Sequence, residues 1–114
     1  MPETRLKKMC FLFKSGPDST FAVREGLDAA LVCATLGHPT ELLFKEDSVL
    51  ALLNEREAKD FRELAPYGIG TLYVNLHSLA SRGLKPAHLI APTTCLDEHA
   101  FNKILHCGQV ILSF

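Results

Sequence analysis

The chain has 114 residues, a formal net charge of −1 and 47% apolar residues. That length suits one domain with a modest core. The near-neutral charge argues against a general nucleic-acid binder or an anionic-membrane binder, and no window of about 18 apolar residues exists to span a bilayer.

In chain order, residues 1–6 read as a short tail on a single domain covering 1–114. They do not form a signal peptide, because no apolar stretch of the right length follows. Lys8–Phe13 is the stretch around which the rest is arranged: five apolar residues without alternation suit a strand covered on both faces. Gly16 and Pro17 break the chain, and Ser19 and Thr20 can cap a helix over about Thr20–Leu36, closed by Gly37. That helix is apolar on most sides, so one side should meet the sheet and another can meet a second chain. The high apolar share for so small a chain points the same way.

Thr40–Phe44 is the second strand. Asp47 and Ser48 can cap a short helix at Val49–Leu53, followed by a charged surface stretch at Asn54–Asp60 and a helical turn at Phe61–Leu64. Thr71–Leu76 is the third strand, Ser78–Ser81 a helical turn stopped by Gly83, and about His88–Ala91 the fourth strand. Thr94 and Asp97 are spaced as a capping box for a helix running to about His106, and Gln109–Phe114 is the fifth strand. The alternating order predicts an α/β domain: three layers around a mainly parallel five-stranded sheet. The loop after the first strand should then lie at the carboxyl end of that sheet, where open α/β folds put their sites.

The candidate chemistry is sparse. The loop Lys14–Thr20 offers a lysine, hydroxyls and a helix start to an anion such as phosphate or a flavin. It lacks both common phosphate-binding glycine patterns, so a structural turn is the simpler reading. Cys10, Cys33, Cys95 and Cys107 show neither a CxxC nor a disulfide-scaffold spacing, as expected of free cysteines in a reducing compartment, the cytoplasm. Cys95, at the expected first helical position, would feel the helix dipole and become a candidate reactive thiol. His99 and His106 follow on the same stripe, but ligands along one straight helix face cannot converge on a tetrahedral metal. No metal and no cofactor are therefore expected. His77 can line the same sheet edge, and His38 and His88 read as surface residues.

Two stretches together resemble a known family. Lys14-Ser15-Gly16-Pro17-Asp18-Ser19-Thr20 followed by Arg24-Glu25-Gly26-Leu27-Asp28-Ala29 resembles the opening of the DsrE/DsrF-like sulfur-relay proteins. Ser78-Leu79-Ala80-Ser81-Arg82-Gly83-Leu84 is similar to their SLxxRGL stretch, and Gln109–Phe114 to their terminal strand. The DsrF/TusC branch is the nearest in look. The resemblance implies a flavodoxin-like domain and a heterohexamer with DsrE/TusD-like and DsrH/TusB-like partners. It implies persulfide transfer, toward 2-thiolation of the tRNA wobble uridine or in sulfur oxidation, with neither membrane nor direct nucleic-acid contact. In the sulfur-carrying subunit of such complexes a cysteine stands eight residues before the glycine of the RG pair; here that position is Asn75. An amide cannot hold a persulfide, so no catalytic residue is expected and the chain reads as a supporting subunit. The alternative is a stand-alone persulfide carrier or sulfurtransferase using Cys95, a position where relatives often carry proline.

Overall fold

The computed structural model describes residues 6–17 and 21–114. The chain follows β1 (Met9–Phe13), α1 (Ala22–Thr35), β2 (Thr40–Phe44), a 3-10 segment (Glu46–Leu52), α2 (Glu55–Arg62), β3 (Leu72–Asn75), α3 (Leu76–Ala80), β4 (Thr94–Leu96), α4 (Glu98–His106) and β5 (Val110–Ser113). The five strands form one sheet in the order β4-β3-β2-β1-β5, every pair parallel. The expected α/β architecture is present, and the sheet is parallel throughout.

β1 lies second from one edge, and its side chains divide the core. Phe11 and Phe13 face α1 with Leu27, Ala30 and Phe44. Cys10 and Leu12 face α4 with Leu43, Phe101 and Leu105. The α1 side is layered with aromatic rings. Phe13 stacks on Phe44 with centroids 4.9 Å apart, and Phe61 meets both edge-on at 5.9 and 5.2 Å. Such offset and edge-to-face pairs add stabilisation beyond area burial. Gly26 lets α1 come down onto this cluster: a β-carbon there would stand 2.5 Å from the Phe13 ring and 2.8 Å from that of Phe114. The α4 side is thinner, its buried cluster built from the sheet and α4 alone.

Several boundaries differ from expectation. β4 is Thr94–Leu96, whereas about His88–Ala91 was expected. Pro86 sits at the start of a short 3-10 turn at Pro86–His88, and the Ile90 N–H is drawn to the Leu52 carbonyl at 3.0 Å. The β-branched Thr94 begins the pairing with β3 instead, Tyr73 against Thr94 and Val74 against Cys95. The capping box is consequently misplaced by three residues. Asp97 is the N-cap of α4, its side chain accepting from the Ala100 N–H at 2.8 Å.

α1 starts at Ala22 with Phe21 in the cap position and no side-chain cap bond; Ser19 and Thr20, the expected caps, lie outside the described residues. Asp47 and Ser48 do not cap a helix at Val49–Leu53. Ser48 Oγ lies 2.7 Å from the carbonyls of both Phe13 and Lys45, tying the 3-10 segment to the end of β1. The charged stretch after Asn54 is not a plain surface loop but α2. Ala58 and Phe61, three apart, give it an inward face that Leu64 extends.

Candidate carrier-position site at the carboxyl end of β3

Asn75 ends β3 and is only 1% exposed. A buried amide must be satisfied on both ends, and this one is. Its Oδ1 accepts the Ser78 N–H at 2.8 Å, which makes Asn75 the N-cap of α3, and lies 3.0 Å from Ser78 Oγ. Because a backbone N–H can only donate, that bond fixes the amide with oxygen toward α3 and nitrogen toward α4. Nδ2 then donates to Glu98 Oε2 at 2.7 Å. Asn75 thus joins β3, α3 and the first turn of α4.

Glu98 is shaped by this contact. The Asn75 amide holds its carboxyl below the usual carboxylate range; slight burial opposes this, and Asn102, Lys45 and His77 add to the lowering. On the other side Ser78 Oγ accepts the Glu46 N–H at 2.8 Å. Glu46 has φ +55°, a left-handed conformation unusual for glutamate. Arg82 braces the same corner. Nη1 donates to the Ser78 carbonyl at 3.0 Å and Nη2 to Asp47 Oδ1 at 2.8 Å.

The SLxxRGL stretch therefore has a physical reading. Ser78 is the hub, Leu79 is core, Arg82 is the brace, Gly83 takes φ +68° and Leu84 packs on the core. The first stretch is structural too: Arg24 pairs with Asp60 at 2.8 Å, Gly26 admits the rings and Leu27 is buried.

The other candidates are dispersed. Cys95 is not at a helix start; it lies in β4, half-buried against the α1-side core, with Thr93 Oγ1 3.9 Å from its sulfur. The dipole argument for its reactivity therefore has no helix to act through. His99 and His106 are exposed on α4, and His77 is exposed on α3. His38 and His88 accept the backbone N–H groups of Lys7 and Lys85 through Nδ1, which makes them local ties. Burial pushes the Cys10 thiol up, with Glu41 adding to it. Among the described residues no group of three or more His, Cys, Asp or Glu could hold a metal ion.

Part of the loop after β1 is already engaged within the chain. The N–H groups of Lys14 and Ser15 both donate to the Phe114 carbonyl, at 2.7 and 3.2 Å. A β-carbon on Gly16 would touch the acidic Asp47 at 3.3 Å. Asp18, Ser19 and Thr20 of that loop lie outside the described residues. A groove of about 200 Å3 between α1 and α2, lined by Arg24, Leu27 and Lys59 among others, touches neither Asn75 nor Cys95. No helix among the described residues is long and apolar enough to cross a membrane.

Sequence reasoning singled out Asn75 and His77 but missed Ser78, Glu98 and Lys45 as their neighbours. An asparagine at the end of a strand was a readable cap signal. Nothing local pointed to Glu98, 23 residues further on.

Comparison with known proteins shows the family and the fold. The sequence is 34% identical to TusC of Klebsiella pneumoniae over 119 aligned residues, covering 96% of this chain and 100% of that one. It is 27% identical to a TusC homologue of Aliivibrio fischeri over 117 residues, covering 94% and 99%. The fold matches the crystal structure of the ychN protein of Escherichia coli with a TM-score of 0.77 at 13% identity, over 96% of this chain and all of that one. A profile of the DsrE/DsrF-like family matches residues 7–114, and the chain belongs to that family.

Proposed function

We propose that this chain is a TusC-like, non-catalytic subunit of a cytoplasmic sulfur-relay complex, assembling with DsrE/TusD-like and DsrH/TusB-like partners as two copies of each. The observation that carries this reading is Asn75. At the carrier position the chain holds a buried amide with both ends bonded, where a carrier needs a thiolate. What such a subunit offers a partner is shape and apolar surface. Phe21, Val32 and Leu36 are 67%, 58% and 66% exposed. Spaced eleven and four residues apart, they fall on one side of a helix with 3.6 residues per turn. Exposed Glu25 and Asp28 lie on that same side between Phe21 and Val32, so the face offered to a partner is apolar at Val32 and Leu36 and acidic toward the start of α1.

Native mass spectrometry of the chain mixed with the two homologous partner types tests this. A heterohexamer is expected, and Val32→Asp with Leu36→Asp should lower its yield while leaving the isolated chain folded, its thermal midpoint lower by no more than about 8 °C. A chain that stays monomeric in every mixture overturns the reading.

A further inference from the structure

At the polar end of β3 a buried amide bonded at both ends meets the carboxylate of an exposed residue. The Asn75 amide is buried and its orientation is fixed from behind by the Ser78 N–H, so its donor always points toward the first turn of α4. What it meets there is the side chain of Glu98, an exposed residue. Lys45 and His77 lie close enough to act on that same carboxylate. A rigid, buried donor is therefore covered by one exposed carboxylate. The Asn75 donor favours a negative group in a corner that also holds Glu46 and Asp47, and the chain supplies it from the exposed Glu98 side chain, to which Asn102 also donates at 3.4 Å.

We propose that this corner is an anion-receiving site for a terminal sulfur anion, with Glu98 as its displaceable internal occupant. The class of anion rests on the sulfur-relay reading; the site itself rests on the geometry. In the resting chain Glu98 takes the Asn75 donor. When a thiolate, persulfide or comparable sulfur anion arrives, Glu98 turns outward and the anion accepts from Nδ2 beside Lys45 and His77. No bond to sulfur forms, so the site steadies a charge without carrying it. Asn75 and Glu98 are then positioning residues for sulfur that stays attached elsewhere. The anion can be free or at the end of a partner's cysteine, and the two sources are separable.

The experiment follows the side-chain amide signals of Asn75 by nitrogen-15 NMR in the full chain. Thiosulfate is titrated against chloride at equal ionic strength, in wild type and in Glu98→Ala. A second series uses a partner subunit loaded with persulfide and the same subunit unloaded. Saturable thiosulfate shifts are expected, with half-saturation roughly tenfold lower in Glu98→Ala, the ratio a charge-assisted hydrogen bond of ordinary strength would give. Shifts with thiosulfate mean that a free anion suffices; shifts only with the loaded partner mean that the sulfur must be protein-borne. The proposal is overturned if chloride and both sulfur probes act alike in Glu98→Ala, or if thiosulfate half-saturates wild type and Glu98→Ala at the same concentration. If no partner binds, the relay reading fails and the thiosulfate series alone decides the site. If partners bind but neither probe shifts Asn75, the site fails and the relay reading stands.

Discussion

The two faces of the sheet are built on different plans. On the α1 side, Phe13, Phe44 and Phe61 interlock beneath α1 and α2, and a glycine marks the tightest approach. On the α4 side a buried cluster of Cys10, Leu12, Leu43, Phe101 and Leu105 holds one helix of nine residues. At the end of that helix the polar network of Asn75, Ser78 and Glu98 takes over from packing. The first face is redundant and apolar; the second depends on few contacts and contains the unusual polar chemistry. The stretch Arg24–Ala29 serves the packed face, whereas Ser78–Leu84 gives Ser78 and Arg82 to the polar corner and Leu79 and Leu84 to the packed face.

The comparison breaks most visibly at Phe101. It is fully buried in the thin face, and Phe101→Ala should cost about 3–5 kcal/mol, enough to unfold a marginal domain. Urea denaturation measures this; a loss under about 1 kcal/mol would show that α4 is held by something other than its core. On the packed face the sharpest probe is addition. Gly26→Ala places a methyl where ring atoms stand 2.5 and 2.8 Å away. An overpacking cost of about 1–3 kcal/mol is expected despite the better helix propensity of alanine. A stabilised variant would mean that the rings move freely.

The polar corner should respond to truncation of its hub. Asn75→Ala strands the buried Ser78 N–H and removes the donor to Glu98, for a loss of about 1–3 kcal/mol. Asn75→Asp keeps the cap but sets a second carboxylate against Glu98, so it should restore part of the loss in acid more than at neutral pH. Equal stability of both variants at all pH values would argue that the amide is incidental.

The smallest effect is the pH dependence of Glu98. Its folded-state carboxyl is held below the unfolded value, chiefly by Asn75, with Asn102, Lys45 and His77 in support. Its contribution is therefore complete above the ordinary carboxylate range and disappears as pH falls through the lowered folded value. Thermal midpoints of Glu98→Gln should lie slightly below wild type at neutral pH and converge with it in acid. Because Glu98 is exposed, solvent screening keeps the difference small.

How far the sequence reveals this molecule depends on which forces act locally. β2 was legible to the residue, Thr40–Phe44, and β1 to within one: β1 is a continuous apolar run, and β2 follows the turn at His38-Pro39 and ends in the apolar Leu42–Phe44. β4 was not, because three residues leave no periodicity and its placement comes from pairing with β3. α2 hid behind its charge, since only Ala58 and Phe61 mark its inward face. At the candidate site Asn75 stood out through the resemblance, as a missing thiol. Its capping role was readable from the asparagine itself, a favoured N-cap residue at the end of a strand. Glu98 was not readable, since its bond depends on the distance between two elements, which only tertiary packing sets.

The most direct test is sulfur mapping by mass spectrometry after incubation with a persulfide donor, followed by an acceptor thiol. The account predicts no sulfur at Cys95 that is passed on, and no difference between wild type and Cys95→Ser in what the acceptor receives. Sulfur that loads onto Cys95, moves to the acceptor and is lost with Cys95→Ser would contradict it.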